Sequence, residues 1–206
     1  MNGPPSAPGA DEAARELADA LEARRIDYAI GGALALGQWG VVRGTHDVDL
    51  NLWLDPARPT EAAALLSEIG CEFKTAALVR EWGDKGWGYV HFRTVRVDVY
   101  LPLMPFHESA RSRRRRVPLL GREAWFLSAE DLAVFKLILY RTKDRADLEG
   151  LLVVCGLDFD RSYVREWIGR IAGTADIRVS GWDEMATAAD EAIRLRQAGW
   201  KPSQER

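Results

Sequence analysis

Two aspartates one residue apart, Asp47 and Asp49, lie in a run of strand-forming residues, His46 to Trp53, and this pairing narrows the possible folds more than any other feature of the 206-residue sequence. Successive strand side chains point to opposite faces, so both carboxylates emerge on one face, about 7 Å apart along the strand. Val48, Leu50 and Leu52 take the other face and are apolar, as a core-facing row requires. Two like charges this close repel each other, and a bound cation relieves that repulsion. Just upstream, Ile26 to Ile30 reads as a short strand and Gly31-Gly32 as a turn at which a ligand can approach the backbone. Ala33 to about Trp39 then reads as a short helix whose first N–H groups are open to an anion such as phosphate. A phosphate cradle beside paired metal carboxylates is the layout expected of metal-assisted phosphoryl or nucleotidyl transfer.

A third carboxylate strengthens the reading. Asp98, in Arg96-Val-Asp-Val-Tyr100, stands among apolar neighbours in a predicted central strand, where a charge is costly unless it is paired or bound to metal. Beside the Asp47/Asp49 strand it would complete a set of oxygen ligands of the kind Mg²⁺ prefers. The alternative is an edge-strand aspartate paired with Arg93 or Arg96. Neither the aspartate pair nor the glycine pair is specific alone, and no Gly-Lys-Ser/Thr follows to make a P-loop.

The remaining chain supplies the frame. Residues 1–10 are rich in Pro and Gly and are expected to be a disordered tail. A helix is predicted from Asp11 to about Ala23, with Ala13, Leu17, Ala20 and Leu21 on one face. Another is predicted from Thr60, as N-cap, to Ile69. Gly86–Val90 with Val95–Leu101, and Val117–Leu120 with Ala124–Leu127, read as strand pairs turning near Arg93-Thr94 and Gly121-Arg122. From Ser128, whose Ser-Ala-Glu-Asp form is a capping box, the chain turns wholly helical. Helices are predicted over Leu132–Tyr140, from about Lys143 to Val154, after Asp160, and from Trp182 to Gln197. The fold class is therefore α/β (α+β): a mixed sheet with flanking helices, followed by a C-terminal helical segment over 128–206.

Lys136 is the only charge in Leu132–Leu139. Its ammonium either snorkels to the surface or enters a polar cavity. Lys143 would lie on the same face if the helix ran on, and Asp144 and Asp147 could hold Lys143 and Arg141 in place. Arg43 is either a loop cation or a clamp on phosphate oxygens. The run Arg111-Ser-Arg-Arg-Arg-Arg116 is either a solvated loop or a track for an RNA backbone. A net charge of -3 speaks against a dedicated nucleic-acid coat, and no apolar run reaches membrane-spanning length. Cys71 and Cys155 read as reduced packing residues, and His46, His91 and His107 form no zinc pattern. A cytoplasmic location is expected.

Gly-Gly after a strand, Asp-x-Asp within the next, and a later strand aspartate together resemble the nucleotidyltransferases of the DNA polymerase beta superfamily. Arg43-Gly-Thr45-His-Asp-Val-Asp-Leu50 resembles the R-x-T-x-D-I-D-L form of the AbiEii-type toxin group. Glu130-Asp-Leu-Ala-Val-Phe-Lys136 and Arg141-Thr-Lys-Asp-Arg-Ala-Asp147-Leu148 are similar to that group's E-D-L-x-x-x-K and R-x-K-D-x-x-D-L segments. The resemblance implies a catalytic domain over 11–127 that is dependent on Mg²⁺, with two ions or Mn²⁺, and uses an NTP such as ATP. It implies Asp47, Asp49 and Asp98 as catalytic metal ligands, and Gly31, Gly32, Arg43, Thr45, Lys136, Lys143, Asp144 and Asp147 as nucleotide-binding residues. Its toxin members imply a tRNA or protein acceptor and an antitoxin partner. The aminoglycoside and lincosamide nucleotidyltransferases share the Gly-Gly…Asp-x-Asp arrangement and imply a small-molecule acceptor. A non-catalytic binding module of the same fold is the remaining alternative. Where relatives often carry Ser after the first glycine, Gly32 leaves phosphate contact to backbone N–H groups.

Overall fold

The computed structural model of the chain describes residues 9–198. The expected N-terminal tail falls almost wholly outside them, and Ala10 already opens the first helix. The described residues form two compact units, one of 9–38 with 42–128 and one of 39–41 with 129–198.

Unit one is built on a seven-stranded mixed sheet: β1 (Tyr28–Ile30), β2 (Asp47–Leu52), β3 (Cys71–Glu72), β4 (Trp87–Phe92), β5 (Val95–Tyr100), β6 (Arg115–Leu119) and β7 (Arg122–Phe126), in the order β3-β4-β5-β2-β1-β7-β6. β2 pairs with β5, and β1 with β7, in parallel; the other neighbours are antiparallel. Helices α1 (Ala10–Ala23), α2 (Gly32–Gln38), α3 (Pro59–Glu68), α4 (Thr75–Lys85) and α5 (Pro105–Arg113) complete the unit.

Period-two alternation decides which sheet face is core. Val48 and Leu50 of β2 lie opposite Val97 and Val99 of β5, and Val97 lies opposite Val90 of β4; all are buried. Each such side chain contributes roughly 1.5–3 kcal/mol through removal from water. In α4, Trp82 is buried and its indole N–H donates to the Val99 carbonyl at 3.3 Å. Gly88 permits this close packing, since a Cβ there would sit 2.6 Å from Leu78. In α1, Ala13, Leu17 and Leu21 recur at one-turn spacing and are fully buried, whereas Ala20 is only half-buried. The edge strand β6 carries Arg115, Arg116 and Pro118, residues that discourage pairing with another chain.

Several boundaries differ from the sequence pattern. Helix α3 starts at Pro59 after Arg58, with no side-chain cap, so Thr60 is inside the helix. Helices α4 and α5 and the short β3 fall in stretches to which the sequence pattern assigned no element. The second hairpin turns through Leu120 and Gly121, both at positive φ.

Unit two is helical: α6 (Ala129–Leu139), α7 (Thr142–Cys155), a short 3₁₀ turn at Gly156–Asp158, α8 (Arg161–Ala172) and α9 (Ile177–Gln197). Tyr140, at φ 48°, ends α6. Lys143 therefore belongs to a new helix and does not continue the Lys136 face. Asp160 and Asp176 cap α8 and α9, accepting from the backbone N–H of Tyr163 and Arg178. Trp182 is buried between helices and donates its indole N–H to the Arg161 carbonyl at 3.2 Å. No described helix is long and apolar enough to cross a membrane.

Candidate active site

The sheet face opposite the core carries the three sequence-singled aspartates, and strand register fixes their order. Asp47, Asp49 and Asn51 of β2 lie opposite Arg96, Asp98 and Tyr100 of β5. These in turn lie opposite His91, Tyr89 and Trp87 of β4. All nine side chains belong to one face by alternation, so Asp49 and Asp98 are direct cross-strand neighbours with Asp47 one step along.

Each carboxylate is engaged. Asp49 Oδ1 accepts from the Tyr100 hydroxyl at 3.3 Å. Asp98 Oδ1 holds the Arg96 guanidinium at 2.7 Å, while that guanidinium also lies 4.4 Å from the centre of the Tyr89 ring. Asp47 accepts a very short hydrogen bond from the Thr45 hydroxyl. Asp98 is thus in a central strand, as expected, and it pairs with Arg96, the partner named in the alternative reading.

The glycine pair is shaped around Asp49. The Gly31 N–H donates to the Asp49 carbonyl at 2.8 Å, and the chain then turns at Gly32 with φ 56°. A Cβ on Gly32 would lie 1.6 Å from Asp49 Oδ2. Gly32 is therefore required twice, by its backbone angle and by the carboxylate beside it. This accounts for the missing hydroxyl at that position: in this chain a serine would collide with the aspartate. Asn51, on the same row, is buried; its amide nitrogen reaches the Ala29 carbonyl at 3.4 Å and its Oδ1 meets no donor among the described residues.

Arg43 and Thr45 lie in the segment 39–46, which is neither helix nor strand; Arg43 is exposed. Arg111–Arg116, by contrast, is no loose loop. It spans the end of α5 and the start of β6. Arg111 and Arg114 both bind Asp27, the latter at 2.6 Å, and Arg116 lies 3.5 Å from both Glu22 and Glu123. Arg114 also sits over Trp125 and Trp53, 4.6 and 5.7 Å from their ring centres. Burial raises the Asp27 pKa, but hydrogen bonds from Arg111 and Arg114 outweigh it and hold the carboxyl below its ordinary range.

In unit two, Lys136 is buried and does not snorkel. Its ammonium lies 2.6 Å from Asp147 and 3.5 Å from Asp144. Asp144 also receives the Arg141 backbone N–H at 3.0 Å and its guanidinium at 2.7 Å. Burial pushes the Asp144 pKa up, and the Arg141 bonds with the Lys136 charge pull it below the ordinary value. Lys143 is exposed in the first turn of α7.

Tyr100, Asn51, Tyr89 and Trp87 are the site-face residues the sequence reading missed. Counting by twos from Asp49 and Asp98 reaches Asn51 and Tyr100 directly; reaching β4 requires knowing the register.

A family model described as nucleotidyltransferase of unknown function (DUF6036) matches residues 9–168. The chain belongs to that family of nucleotidyltransferases. Among solved structures it is similar to ANT(2")-Ia in complex with adenylyl-2"-tobramycin, at 15% identity over 77% of this chain and 96% of that one, with a TM-score of 0.51. It is also similar to the lincomycin-bound lincosamide antibiotic adenylyltransferase LnuA, at 13% identity over 68% and 96%, TM-score 0.44. A third is an antigenic nucleotidyltransferase-like protein from Paracoccidioides brasiliensis, at 16% identity over 84% and 91%, TM-score 0.45. No curated protein matches the chain. The family makes the chain an enzyme of nucleotidyl transfer, and the mixed α/β architecture agrees with it.

Proposed function

We propose that this enzyme moves a nucleoside monophosphate from an NTP to a hydroxyl of a small molecule, using a divalent cation on the Asp47/Asp49/Asp98 face. The observation that carries the reading is the cross-strand Asp49/Asp98 pair with Asp47 on the same row, packed against a glycine that has no room for a side chain.

The donor set fits Mg²⁺ or Mn²⁺ in kind: three hard carboxylates, with the undonated amide oxygen of Asn51 behind them. Among the described residues no three such groups are drawn into one cation-holding cluster, and Asp98 Oδ1 is paired with Arg96. Full use of Asp98 as a ligand would compete with that pairing. Once bound, the cation would neutralise triphosphate charge and favour departure of pyrophosphate. Thr45 and Tyr100 aim Asp47 and Asp49, while Gly32 and Arg43 face the donor phosphates. Asp98 takes the proton of the acceptor hydroxyl as its oxygen bonds to the α-phosphorus and the bond to pyrophosphate breaks. Lys136, Asp144 and Asp147 serve this reading by building unit two, and Lys143 is the exposed cation of the R-x-K-D segment.

The small-molecule acceptor is favoured over the tRNA or protein acceptor of the toxin-like reading because three of the five arginines in the run, Arg111, Arg114 and Arg116, are engaged internally by Asp27, Glu22 and Glu123. A solved neighbour in complex with adenylyl-2"-tobramycin suggests aminoglycosides for a first panel of acceptors. Incubating the chain with each NTP, Mg²⁺ or Mn²⁺, and panels of antibiotics, tRNA and protein, then weighing the products, tests the reading. A nucleotidylated small molecule supports it. Nucleotidylated tRNA or protein moves the enzyme to the toxin-like group, with its antitoxin partner, and no product with any NTP overturns catalysis.

A further inference from the structure

Beyond Asp98 the site face continues into an aromatic surface on β4 that the transfer step has not drawn on. Trp87 and Tyr100 stack at 6.2 Å between ring centres, and the Tyr100 hydroxyl holds Asp49. Tyr89, directly across from Asp98, is 44% exposed and meets the exposed His91 edge to face at 5.8 Å. Two ring pairs, Trp87 with Tyr100 and Tyr89 with His91, therefore share the face with the carboxylates.

The two sides of β2 are unlike. The Gly31-Gly32 turn and α2 follow β1, on one side of β2, while β5 and then β4 lie on the other. In-line displacement places the attacking oxygen opposite the leaving pyrophosphate. With the donor phosphates at the glycine turn, the acceptor lies toward β5 and β4.

What that surface binds is indicated by what this chain already puts on it. The Lys85 ammonium lies 3.9 Å from the centre of the Trp87 ring, and the Arg96 guanidinium covers Tyr89 while bound to Asp98. Both rings are thus faced by flexible cations of the protein itself, Arg96 being 45% exposed. A ring face joined to a carboxylate is complementary to an ammonium or guanidinium group. We propose that Trp87 and Tyr89 form the acceptor subsite, that it takes a small ring compound bearing both an amine and a hydroxyl, and that Arg96 occupies the same seat until such a compound displaces it. The proposal rests on the nucleotidyl-transfer reading for its choice of side, but the seat's preference for a cation stands on the ring and carboxylate geometry alone.

The test is calorimetric titration of the full chain, free of metal and nucleotide, with 2-deoxystreptamine and with tyramine. myo-Inositol, a ring polyol without amines, and a 20-nucleotide single-stranded RNA are the comparison probes. The amines should bind, with inositol at least tenfold weaker. Tyr89→Ala should weaken amine binding about tenfold, as expected for loss of a cation–π seat, and Tyr89→Leu, which keeps bulk at this exposed position, should do the same. Arg96→Gln should tighten it, because the internal competitor is gone; a purely structural arginine would produce no such gain. Failure of both amines to bind, or equal affinity in parent and Tyr89 variants, overturns the proposal, as does RNA binding without amine binding. Mg²⁺-dependent NTP binding, titrated separately on the same protein, reports on the nucleotidyl-transfer reading: its loss with amine binding intact removes that reading and leaves the cation seat standing.

Discussion

The carboxylates on β2 and β5 and those at the α6–α7 junction carry the same chemistry and stand in opposite circumstances. On the sheet face Asp47, Asp49 and Asp98 are half-exposed; Thr45 and Tyr100 donate hydroxyls to Asp47 and Asp49, and Arg96 pairs with Asp98. At the helix junction Asp144 and Asp147 are buried; Lys136 pairs with both, and Arg141 also holds Asp144. A surplus of negative charge at positions water can reach invites a cation. Buried carboxylates already held by cations of the chain have less to gain from a ligand, and their pairing fixes α6 against α7.

Lys136→Met gives the largest expected effect and strikes that comparison directly. It leaves Asp147 without its close cation and Asp144 with one fewer, both in the interior. Breaking such a pair costs about 3–5 kcal/mol, to be measured as a lower urea midpoint. Stability close to the parent with weakened NTP affinity would break the contrast and make Lys136 a ligand contact. The sign with pH follows from Asp144. Its folded pKa is lowered, so its contribution is complete above the ordinary carboxyl pKa and is lost as pH falls through the lowered folded value. Asp144→Asn should blunt that acid limb of the stability curve.

Gly32→Ala sharpens the other side. The added carbon collides with Asp49 Oδ2 and the residue is held at positive φ, so roughly 1–3 kcal/mol of strain is expected. Transfer activity should fall further than stability does, because the displaced group is Asp49. In a double-mutant cycle with Asp49→Ala the two changes should be less than additive. Strict additivity would mean that the glycine serves only the backbone.

These two sites also mark how far the sequence could be read. The alternation of Asp47, Val48, Asp49 and Leu50 announced both the strand and its polar face, and the structure keeps that face intact. The third aspartate was legible because a lone charge among Val97, Val99 and Leu101 needs a reason. Lys136 was legible as an anomaly but not in its direction, since helical spacing shows that a charge is buried without showing which carboxylates meet it. Asp144 and Asp147 come from the next helix, and the bend at Tyr140 that presents them has no proline or glycine to announce it. The arginine run misled for a related reason: Asp27, Glu22 and the tryptophans that tie it down are distant in sequence. Charge runs read in isolation look solvated.

Asp47→Asn with Asp49→Asn should change the metal-free fold little, stabilising it by less than about 1 kcal/mol through relief of like-charge repulsion. Mg²⁺ or Mn²⁺ should raise the melting temperature of the parent, as any ligand of the folded state does, and should not raise that of the double variant. A response retained in the variant would place the cation elsewhere and remove the contrast between the two carboxylate groups.

Arg111→Gln carries the smallest expected effect and probes a third arrangement, balanced like the helix junction but open to water like the sheet face. Arg114 stays on Asp27, and exposed ion pairs are worth about 0–1 kcal/mol, so the loss should be a few tenths of a kcal/mol and should shrink further in high salt. Asp27 has a lowered folded pKa, so the stabilisation is present above the ordinary carboxyl pKa and fades as pH falls through the lowered value. Unfolding curves of parent and variant should therefore differ slightly at neutral pH and converge in acid. A steep loss of salt-sensitive RNA binding in the variant, with stability unchanged, would instead show that balance at an exposed site does not exclude a ligand, and that the arginine run binds phosphate despite its acidic neighbours.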